Sequence, residues 1–405
     1  MQKHLRILMP HSLLLVHIAL GGCSNAGTQL ASAPYTLQVV SLIPPSNPAN
    51  PATFEIANKT LSTLQDIDTL DGSFAKMYFG GVLKAHSVLG SLVSSGHFES
   101  GETPKLRYHV SDNVAVPNDY LTLAMFSAYY QFDQIASRIA TLYGLQPTAL
   151  ASAQKNGKYE VLFEPSMQIE SQTISGSIAS KRNAAFVPGQ GQFVLFERSL
   201  AEKVPLATNL QVLAHEFGHA VFDYTFYDNA YSDSILYAGN FIISGINEGF
   251  ADFTSFLWSG SADVLSGSLA GISAVTERNF ITSTYTLLTA PANCTGGFYC
   301  IGTLFARSLW QASVDSPTDA QALAQSLPAA LRAVRSALDA SKITVDPNSS
   351  QTTLITQSDF VVLKTFLASL AGSIGTLTPS LTAPLCTRFA NNFSLQNDVS
   401  WNCPL

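Results

Sequence analysis

The residues with the clearest chemical potential lie in one short stretch, A-H-E-F-G-H-A at positions 214–220. His215 and His219 are four residues apart, so on a helix their imidazoles leave the same face one turn apart and can bind one metal ion. Glu216 lies beside the first histidine, where a carboxylate can take a proton from water activated by a metal. The pattern predicts a zinc site on a helix, with Glu216 as the catalytic base.

A zinc site of this kind needs a third protein ligand. Residues 246–253 read I-N-E-G-F-A-D-F, and Glu248 and Asp252 share one face if this stretch is a helix. Glu248 can complete a set of two histidines and one glutamate with an open fourth position, and Asp252 can accept the free N–H of a ligating histidine. The alternative is a surface helix with two solvated acids. We favour the ligand because H-E-x-x-H precedes it and the surrounding helix is apolar.

These two stretches resemble a known family. Residues 215–225 read H-E-F-G-H-A-V-F-D-Y-T and residues 244–252 read S-G-I-N-E-G-F-A-D. Both resemble the thermolysin-type gluzincin metallopeptidases, whose motifs are H-E-x-x-H followed by N-E-x-x-x-D. The resemblance implies that His215, His219 and Glu248 are the zinc ligands. It also implies that Glu216 is the base and that Asp252 is the carboxylate partner of a ligating histidine.

The resemblance also implies the architecture. It is an α+β, zincin-like fold with a strand-bearing N-terminal part, a mainly helical C-terminal part and a cleft between them. An edge strand would lie above the catalytic helix. The segment N-A-A-F at 183–186 resembles the Asn-Ala motif of that edge strand, which implies that Asn183 and Ala184 border the substrate groove. A plain hairpin is the alternative.

The stabilising group for an oxyanion is harder to assign. Thermolysin-type enzymes use a later histidine, but this sequence has no histidine after His219. Tyr231 has the spacing nearest to that of a tyrosine of the family, and Tyr299 stands where the family's histidine would be; a phenol can donate one hydrogen bond. Tyr299 is alternatively a packed aromatic beside a disulfide. Arg278 and Arg307 are further candidates for binding a substrate carbonyl.

The composition indicates a folded protein and excludes one class of partner. The chain has 405 residues, of which 46% are hydrophobic and 12% charged, so it can bury a large core in two or three domains. The net charge of −7 comes without a basic run, which argues against a nucleic-acid partner.

The N-terminal residues indicate export. Lys3 and Arg6 precede an apolar stretch at residues 7–20 and small residues before Cys23, which predicts a signal peptide over residues 1–22. The sequence L-G-G-C resembles a bacterial lipobox, which implies a lipid on Cys23 and a protein anchored to a membrane of a bacterial cell envelope. Ordinary cleavage, with Cys23 incidental and the protein secreted, is the alternative.

The other cysteines predict disulfides. Four remain in an exported chain, and although three pairings are possible, proximity in sequence favours Cys294 with Cys300 and Cys386 with Cys403. The sequence has no C-x-x-C spacing, which argues against a zinc site built from cysteines.

The chain divides into four predicted parts. Residues 1–22 are the lipoprotein signal peptide and 23–52 a proline-rich tether and entry segment. Residues 53–225 are an α/β part that ends in the H-E-x-x-H helix, and residues 226–405 are a mainly helical part that carries the third zinc ligand.

Local signals predict several elements. A long helix runs from an N-cap at Asp119 to Gly144, and the H-E-x-x-H helix begins near Thr208 or Asn209 and ends near Tyr224. Strands are predicted at 159–163, 183–187 and 192–198, with a hairpin turn at 188–191. Later helices are predicted at 302–313, at 320–338 with a break or kink at Pro328, and at 359–370, followed by an irregular tail at 384–405.

The expected function is that of an exported, lipid-anchored zinc metalloendopeptidase that acts on peptides or proteins. One alternative is a surface lipoprotein that keeps zinc for stability and uses the cleft for binding without catalysis. Another is a zincin aminopeptidase, although the sequence shows no recognisable anchor for a free amine. The sequence does not predict the oligomeric state.

Overall fold

The computed structural model describes residues 33–88, 91–99, 101–171, 175–176, 184–196, 202, 204–229, 237, 240–263, 268, 278–294, 297–316, 320–341, 343, 345–346 and 355–403. The predicted signal peptide, Cys23, Asn183 and Tyr231 lie outside these residues. Strands fill the N-terminal part and helices most of the C-terminal part, so the predicted α+β class is confirmed.

The strands form three sheets in the described residues. They are β1 (Tyr35–Ile43), β2 (Thr53–Leu61), β3 (Leu64–Asp66), β4 (Asp71–Gly72), β5 (Ala75–Phe79), β6 (Val82–Val88), β7 (Ser91–Glu99), β8 (Tyr108–Ser111), β9 (Val114–Pro117), β10 (Tyr159–Phe163), β11 (Ser166–Ser171), β12 (Ser175–Gly176), β13 (Ala184–Val187) and β14 (Gln192–Leu195). The first sheet has the order β2-β1-β9-β8, the central sheet β13-β14-β10-β5-β4-β3 and the third β12-β11-β6-β7. The predicted hairpin of β13 and β14 is antiparallel and encloses the turn at 188–191.

Strand β1 belongs to the core. It pairs along its whole length with β2 and on its other side with β9, and Leu37 and Val39 on its inner face are fully buried. The alternation of apolar residues in β1 is what a half-buried strand requires. The entry segment predicted at 23–52 is therefore built into the first sheet from Tyr35 onward.

Helix α1 (Tyr120–Tyr143) has the ends that its capping residues predict. The Asp119 carboxylate accepts a hydrogen bond from the Thr122 N–H at 2.7 Å, and Gly144 ends the helix in the left-handed conformation with φ of 65°. A short helix, α2 (Pro147–Ser152), follows. Helix α1 packs on the central sheet, where the Tyr129 hydroxyl donates to the Ala75 carbonyl at 3.1 Å.

Helix α3 (Leu210–Thr225) carries the H-E-x-x-H sequence. Asn209 is its N-cap, with the side chain accepting from the Gln211 N–H at 2.9 Å. Leu213, Phe217 and Val221 are fully buried at helical spacing, and the Phe217 ring packs edge-on against Tyr159 of β10 with centroids 5.9 Å apart. These contacts fix the rotation of α3 about its axis and leave the histidines on the opposite side.

Helix α4 (Phe241–Ser259) crosses α3 closely. Asn240 caps it by accepting from the N–H groups of Ile242 and Ile243, and Gly260 ends it in the left-handed conformation. A Cβ added at Gly218 of α3 would lie 2.6 Å from the Ala251 Cα of α4. Glycine at this position of H-E-F-G-H therefore lets the two backbones approach.

The C-terminal part contains the remaining described helices. They are α5 (Ala290–Asn293), α6 (Phe298–Asp315), α7 (Ala320–Ala340), α8 (Gln357–Leu377) and α9 (Thr382–Asn392). By length and composition α8 could cross a membrane, but core helices of globular proteins meet the same criterion. Its buried residues, Val362, Leu363, Phe366, Leu367, Leu370, Ala371 and Ile374, face the protein core.

The structure corrects two local predictions in this part. Helix α7 is not broken at Pro328, because the buried stripe of Leu323, Leu327 and Leu331 offsets the hydrogen bond that proline removes. The tail predicted as irregular from residue 384 contains most of α9, where Leu385 and Phe389 bury one face four residues apart. Both predicted disulfides, Cys294–Cys300 and Cys386–Cys403, are formed.

A buried carboxylate on α3 gives a pH-dependent prediction. The Asp223 Oδ2 atom accepts from the Gly189 N–H at 3.1 Å, and burial raises the pKa of Asp223 to about 6. Ionising this group above pH 6 costs folding free energy, and the cost fades as pH falls from 6 toward its unfolded value near 4. Asp223→Asn should therefore raise the free energy of unfolding by about 1–3 kcal/mol more at pH 8 than at pH 4. Urea titrations at both pH values test this, and an equal effect at both would contradict it.

Candidate metal centre

Helices α3 and α4 bring two imidazoles and one carboxylate to a common point. The His215 Nε2 atom lies 3.2 Å from the His219 Nε2 atom and 3.4 Å from the Glu248 Oε2 atom. The His219 Nε2 atom lies 3.8 Å from the Glu248 Oε1 atom. Each residue thus offers one ligand atom, all within 4.8 Å of one another.

The spacing and the chemistry of this set fit zinc. Bonds of about 2.0–2.1 Å at a tetrahedral angle would place ligand atoms about 3.3–3.4 Å apart. The two Nε2 atoms lie 3.2 Å apart, and each lies close to that distance from an oxygen of Glu248, His215 at 3.4 Å from Oε2 and His219 at 3.8 Å from Oε1. Two imidazole nitrogens with one carboxylate oxygen are a common zinc donor set, and three protein ligands leave a fourth position open.

The outer nitrogens of both histidines lie next to oxygen atoms. The His215 Nδ1 atom lies 2.9 Å from the Asp252 Oδ1 atom, a close ion pair without hydrogen-bond geometry, and the His219 Nδ1 atom lies 2.9 Å from the Asn247 Oδ1 atom. The His219 Nδ1–H can donate to Asn247, which leaves the Nε2 lone pair of His219 directed at the common point. Sequence analysis gave Asn247 no role, although it is the first residue of the N-E-x-x-x-D motif.

Arg278 joins the cluster from a distant part of the chain. Its Nη2 atom donates to Glu248 Oε2 at 3.0 Å and to Asp252 Oδ1 at 2.7 Å, and its Nε atom donates to Asp252 Oδ2 at 3.3 Å. The guanidinium therefore neutralises part of the charge on the buried Asp252 and on the half-buried Glu248. Sequence analysis considered Arg278 only as a group for a substrate carbonyl and missed these ion pairs.

The pKa shifts follow from these contacts. Burial alone would raise the pKa of Glu248, but the charges of His219, His215 and Arg278 outweigh it and lower the value to about 2. Burial would lower the pKa of His215, but Asp252 and Glu248 raise it to about 9. Burial lowers the pKa of His219. Glu248 is thus ready as an anionic ligand, whereas binding of a metal to His215 must release a proton.

Glu216 lies beside the cluster and is tied to the edge strand. Its side chain is buried, and its Oε2 atom accepts from the Phe186 N–H of β13 at 3.0 Å. Burial, together with the charge of Glu248, raises the pKa of Glu216 to about 7. The predicted groove residue Ala184 lies on the same strand, with its side chain buried.

Tyr299 stands next to Arg278 in the first turn of α6. The guanidinium carbon of Arg278 lies 4.7 Å from the centre of the Tyr299 ring, a cation–π contact. The negative charge of Glu248 and burial raise the pKa of Tyr299 above its usual range. The phenol therefore keeps its proton and remains a hydrogen-bond donor.

Two tyrosines that follow α3 in the chain, and the candidate Arg307, have partners outside the cluster. The Tyr237 hydroxyl donates to Asp339 of α7 at 2.6 Å, and Tyr227 packs against Phe222 with ring centroids 5.5 Å apart. Arg307 is buried and donates to the carbonyls of Ser283 and Tyr285. Tyr231, the other tyrosine predicted for the oxyanion, lies outside the described residues, as does Asn183.

The contact between Asp252 and His215 gives a quantitative prediction. Asp252→Asn should weaken zinc binding by about 10–100-fold, because the amide no longer supplies the charge that supports the His215 N–H and pairs with Arg278. Competition with a chromogenic zinc chelator measures the affinity. Asp339→Asn on α7 is the matched control and should bind zinc like the wild type. An unchanged affinity in Asp252→Asn would show that this contact does not support the site.

Comparison with known proteins finds similarity among solved structures alone. No family model matches this chain, and no curated protein matches it. Among solved structures, the precursor of protealysin, a metalloproteinase from Serratia proteamaculans, matches over 80% of this chain and 90% of its own, with 15% identity and a TM-score of 0.41. The functional assignment therefore rests on the side-chain geometry of the centre.

Proposed function

We propose that this chain is a zinc-dependent metalloendopeptidase in which Glu216 is the general base. The observation that carries the proposal is the convergence of His215 Nε2, His219 Nε2 and the Glu248 carboxylate at tetrahedral spacing. A carboxylate that lies next to these ligands without joining them is what metal-assisted hydrolysis requires. His215, His219 and Glu248 would hold the ion.

The side chains of the centre divide the chemistry among them. A bound zinc ion would polarise water and a scissile carbonyl. Glu216 takes the proton of the attacking water and passes it to the leaving amine, and a pKa of about 7 suits both steps near neutral pH. The Phe186 N–H holds one Glu216 oxygen, so the carboxylate keeps its direction between the two transfers.

The oxyanion that forms at the carbonyl needs a hydrogen-bond donor. We assign this role to Tyr299, whose phenol stays protonated beside Arg278 and the charge of Glu248. Tyr231 remains a second candidate. No histidine after His219 is available for this role.

The edge strand would bind the substrate. Strand β13 pairs with β14 on one side and has no strand partner on the other among the described residues. An extended peptide can add to such an edge by main-chain hydrogen bonds, while alternate side chains enter pockets. Because Phe186 of this strand contacts Glu216, a peptide bound along β13 would pass the base. Asn183 and Ala184 would border this groove.

Location and domain division are parts of the same proposal. We place the protein outside the cytoplasm, and the two disulfides support export because such bonds persist in oxidising compartments. A lipid attached to Cys23 would anchor it there. The signal peptide at 1–22 and the tether at 23–52 would lead to the α/β part at 53–225. The part at 226–405 supplies Glu248, so the zinc site needs both parts.

One observation favours a second function. The lack of any histidine after His219 removes the oxyanion donor that thermolysin-type enzymes use. If no tyrosine replaces it, the centre would bind zinc for stability and the cleft would serve for binding alone.

The purified chain beginning at residue 24 distinguishes the two functions. The endopeptidase should cleave casein and internally quenched peptides with blocked ends, lose this activity with a chelator and regain it with zinc. Zinc bound at one ion per chain with no cleavage would overturn the endopeptidase and favour the binding protein. Cleavage that persists after complete removal of metal would overturn both zinc-based proposals.

A further inference from the structure

The first turn of α6 has no capping side chain among the residues that the structure describes. The N-cap is Gly297, with φ of 61°, and no side chain at this position accepts a hydrogen bond from the turn. The first N–H groups of a helix have no partner within the helix, so an end without a cap frays easily. Tyr299 lies in this turn, and its ring packs on the guanidinium of Arg278.

A disulfide closes the same turn. Cys300, the residue after Tyr299, is bonded to Cys294, six residues earlier, with Cα atoms 6.0 Å apart. Both cysteines are buried. The Cys294 N–H donates to the Ala290 carbonyl at 2.8 Å, and the Cys300 N–H donates to the Gly297 carbonyl at 3.1 Å. The covalent link therefore joins the start of α6 to the end of α5, where a capping side chain would otherwise be needed.

Close packing of glycines brings this turn to the metal ligands. A Cβ added at Gly249 of α4 would lie 2.3 Å from the Gly302 carbonyl oxygen, and one added at Gly302 would lie 3.1 Å from the Glu248 Cβ. Helix α6 thus meets α4 at the ligand Glu248 itself. Tyr299 is three residues before Gly302 and shares its face of α6, so the position of the first turn sets the position of the phenol.

We propose that the Cys294–Cys300 disulfide is a positioning element for Tyr299, holding the first turn of α6 so that the phenol stays against Arg278 beside the metal centre. The disulfide takes no part in bond making or breaking. The catalytic consequence rests on the proposed peptidase function, in which Tyr299 stabilises the oxyanion. The structural consequence, an ordered first turn, does not rest on it.

The first experiment compares the two disulfides of the chain. Cys294→Ala with Cys300→Ala should lower kcat for a quenched peptide by about tenfold or more and change KM by less than about threefold. The reason is that the hydrogen bond from Tyr299 to the oxyanion forms mainly in the transition state, so displacing the donor affects kcat more than substrate binding. Cys386→Ala with Cys403→Ala is the control. Cys386 and Cys403 are 17 residues apart, so removing this disulfide should lower the free energy of unfolding more than removing Cys294–Cys300. The control variant should nevertheless keep kcat near the wild-type value.

A double-mutant cycle separates positioning from general destabilisation. In a Tyr299→Phe background, the phenolic donor is already gone, so removing Cys294–Cys300 should cause almost no further loss of kcat. An equal fold-loss in both backgrounds would overturn the proposal, because the disulfide would then act independently of Tyr299.

A measurement without substrate keeps the proposal separate from the peptidase assignment. Amide hydrogen exchange in zinc-loaded protein should become at least about tenfold faster at residues 298–302 when the Cys294–Cys300 disulfide is removed. The exchange rates in α3 and α4 should stay unchanged. Unchanged exchange at these residues would overturn the proposal even in an active enzyme. Faster exchange in a protein that cleaves no peptide would support the positioning role and overturn only the peptidase function.

Discussion

Glu216→Gln is expected to lower kcat/KM for peptide hydrolysis by about 10³-fold or more while leaving the zinc content unchanged. In the proposed mechanism Glu216 is the base and not a ligand, so losing its basicity would remove both proton transfers. Glutamine keeps an oxygen that can accept from the Phe186 N–H, and the amide removes a buried charge, so the fold should be retained. Steady-state hydrolysis of a quenched peptide, with zinc measured by mass spectrometry, provides the test.

The matched control is Glu160→Gln. Glu160 lies on β10 of the central sheet and accepts from Gln192 at 2.7 Å, away from the metal centre. It should reduce kcat/KM by less than about twofold, as expected for a partly exposed carboxylate outside the site. Activity of Glu216→Gln within tenfold of the wild type would mean that another group activates the water.

Glu248→Ala is expected to remove most of the zinc and, with it, the activity. The substitution deletes the only carboxylate among the three converging ligands and leaves Arg278 paired with Asp252 alone. Because even the loss of a supporting contact costs about 10–100-fold in metal affinity, loss of a ligand should exceed 100-fold. Equilibrium dialysis followed by zinc measurement gives the affinity directly.

The order of effects tests the assignment more sharply than one variant. Zinc affinity should fall from wild type to Asp252→Asn and again to Glu248→Ala, since in the proposed site Asp252 supports a ligand and Glu248 is a ligand. Glu248→Ala with one tightly bound zinc per chain would show that Glu248 does not hold the ion. Circular dichroism of each variant checks that the helices remain.

Features that depend on neighbouring residues could be predicted from the sequence. The ends of α1 follow from the side chain of Asp119 and the left-handed Gly144, both of which act within one turn. The pairing of Cys294 with Cys300 follows from their short separation. The spacing of H-E-x-x-H likewise fixes two imidazoles on one face of α3 without knowledge of the tertiary fold.

Features that depend on distant contacts could not be predicted from the sequence. Arg278 has no motif, and its pairing with Glu248 exists only because the chain returns to α4 after thirty residues. Asn247 acquires its role from the rotation of α4 against α3, which Gly218 and Ala251 set by close packing. The tail from residue 384 was predicted to be irregular, but it contains most of α9, because burial of Leu385 and Phe389 against the core stabilises a helix.

The ion pairs of Arg278 have a consequence for which cations the centre can accept. Glu248 and Asp252 pair with the guanidinium of Arg278, and Glu216 lies beside them, so once His215 has released its proton and all three carboxylates are ionised, the enclosed groups carry two negative charges in excess. A surplus of this size away from solvent is unfavourable until something compensates it. An ion of valence two restores electroneutrality, whereas a monovalent ion would leave half of the surplus.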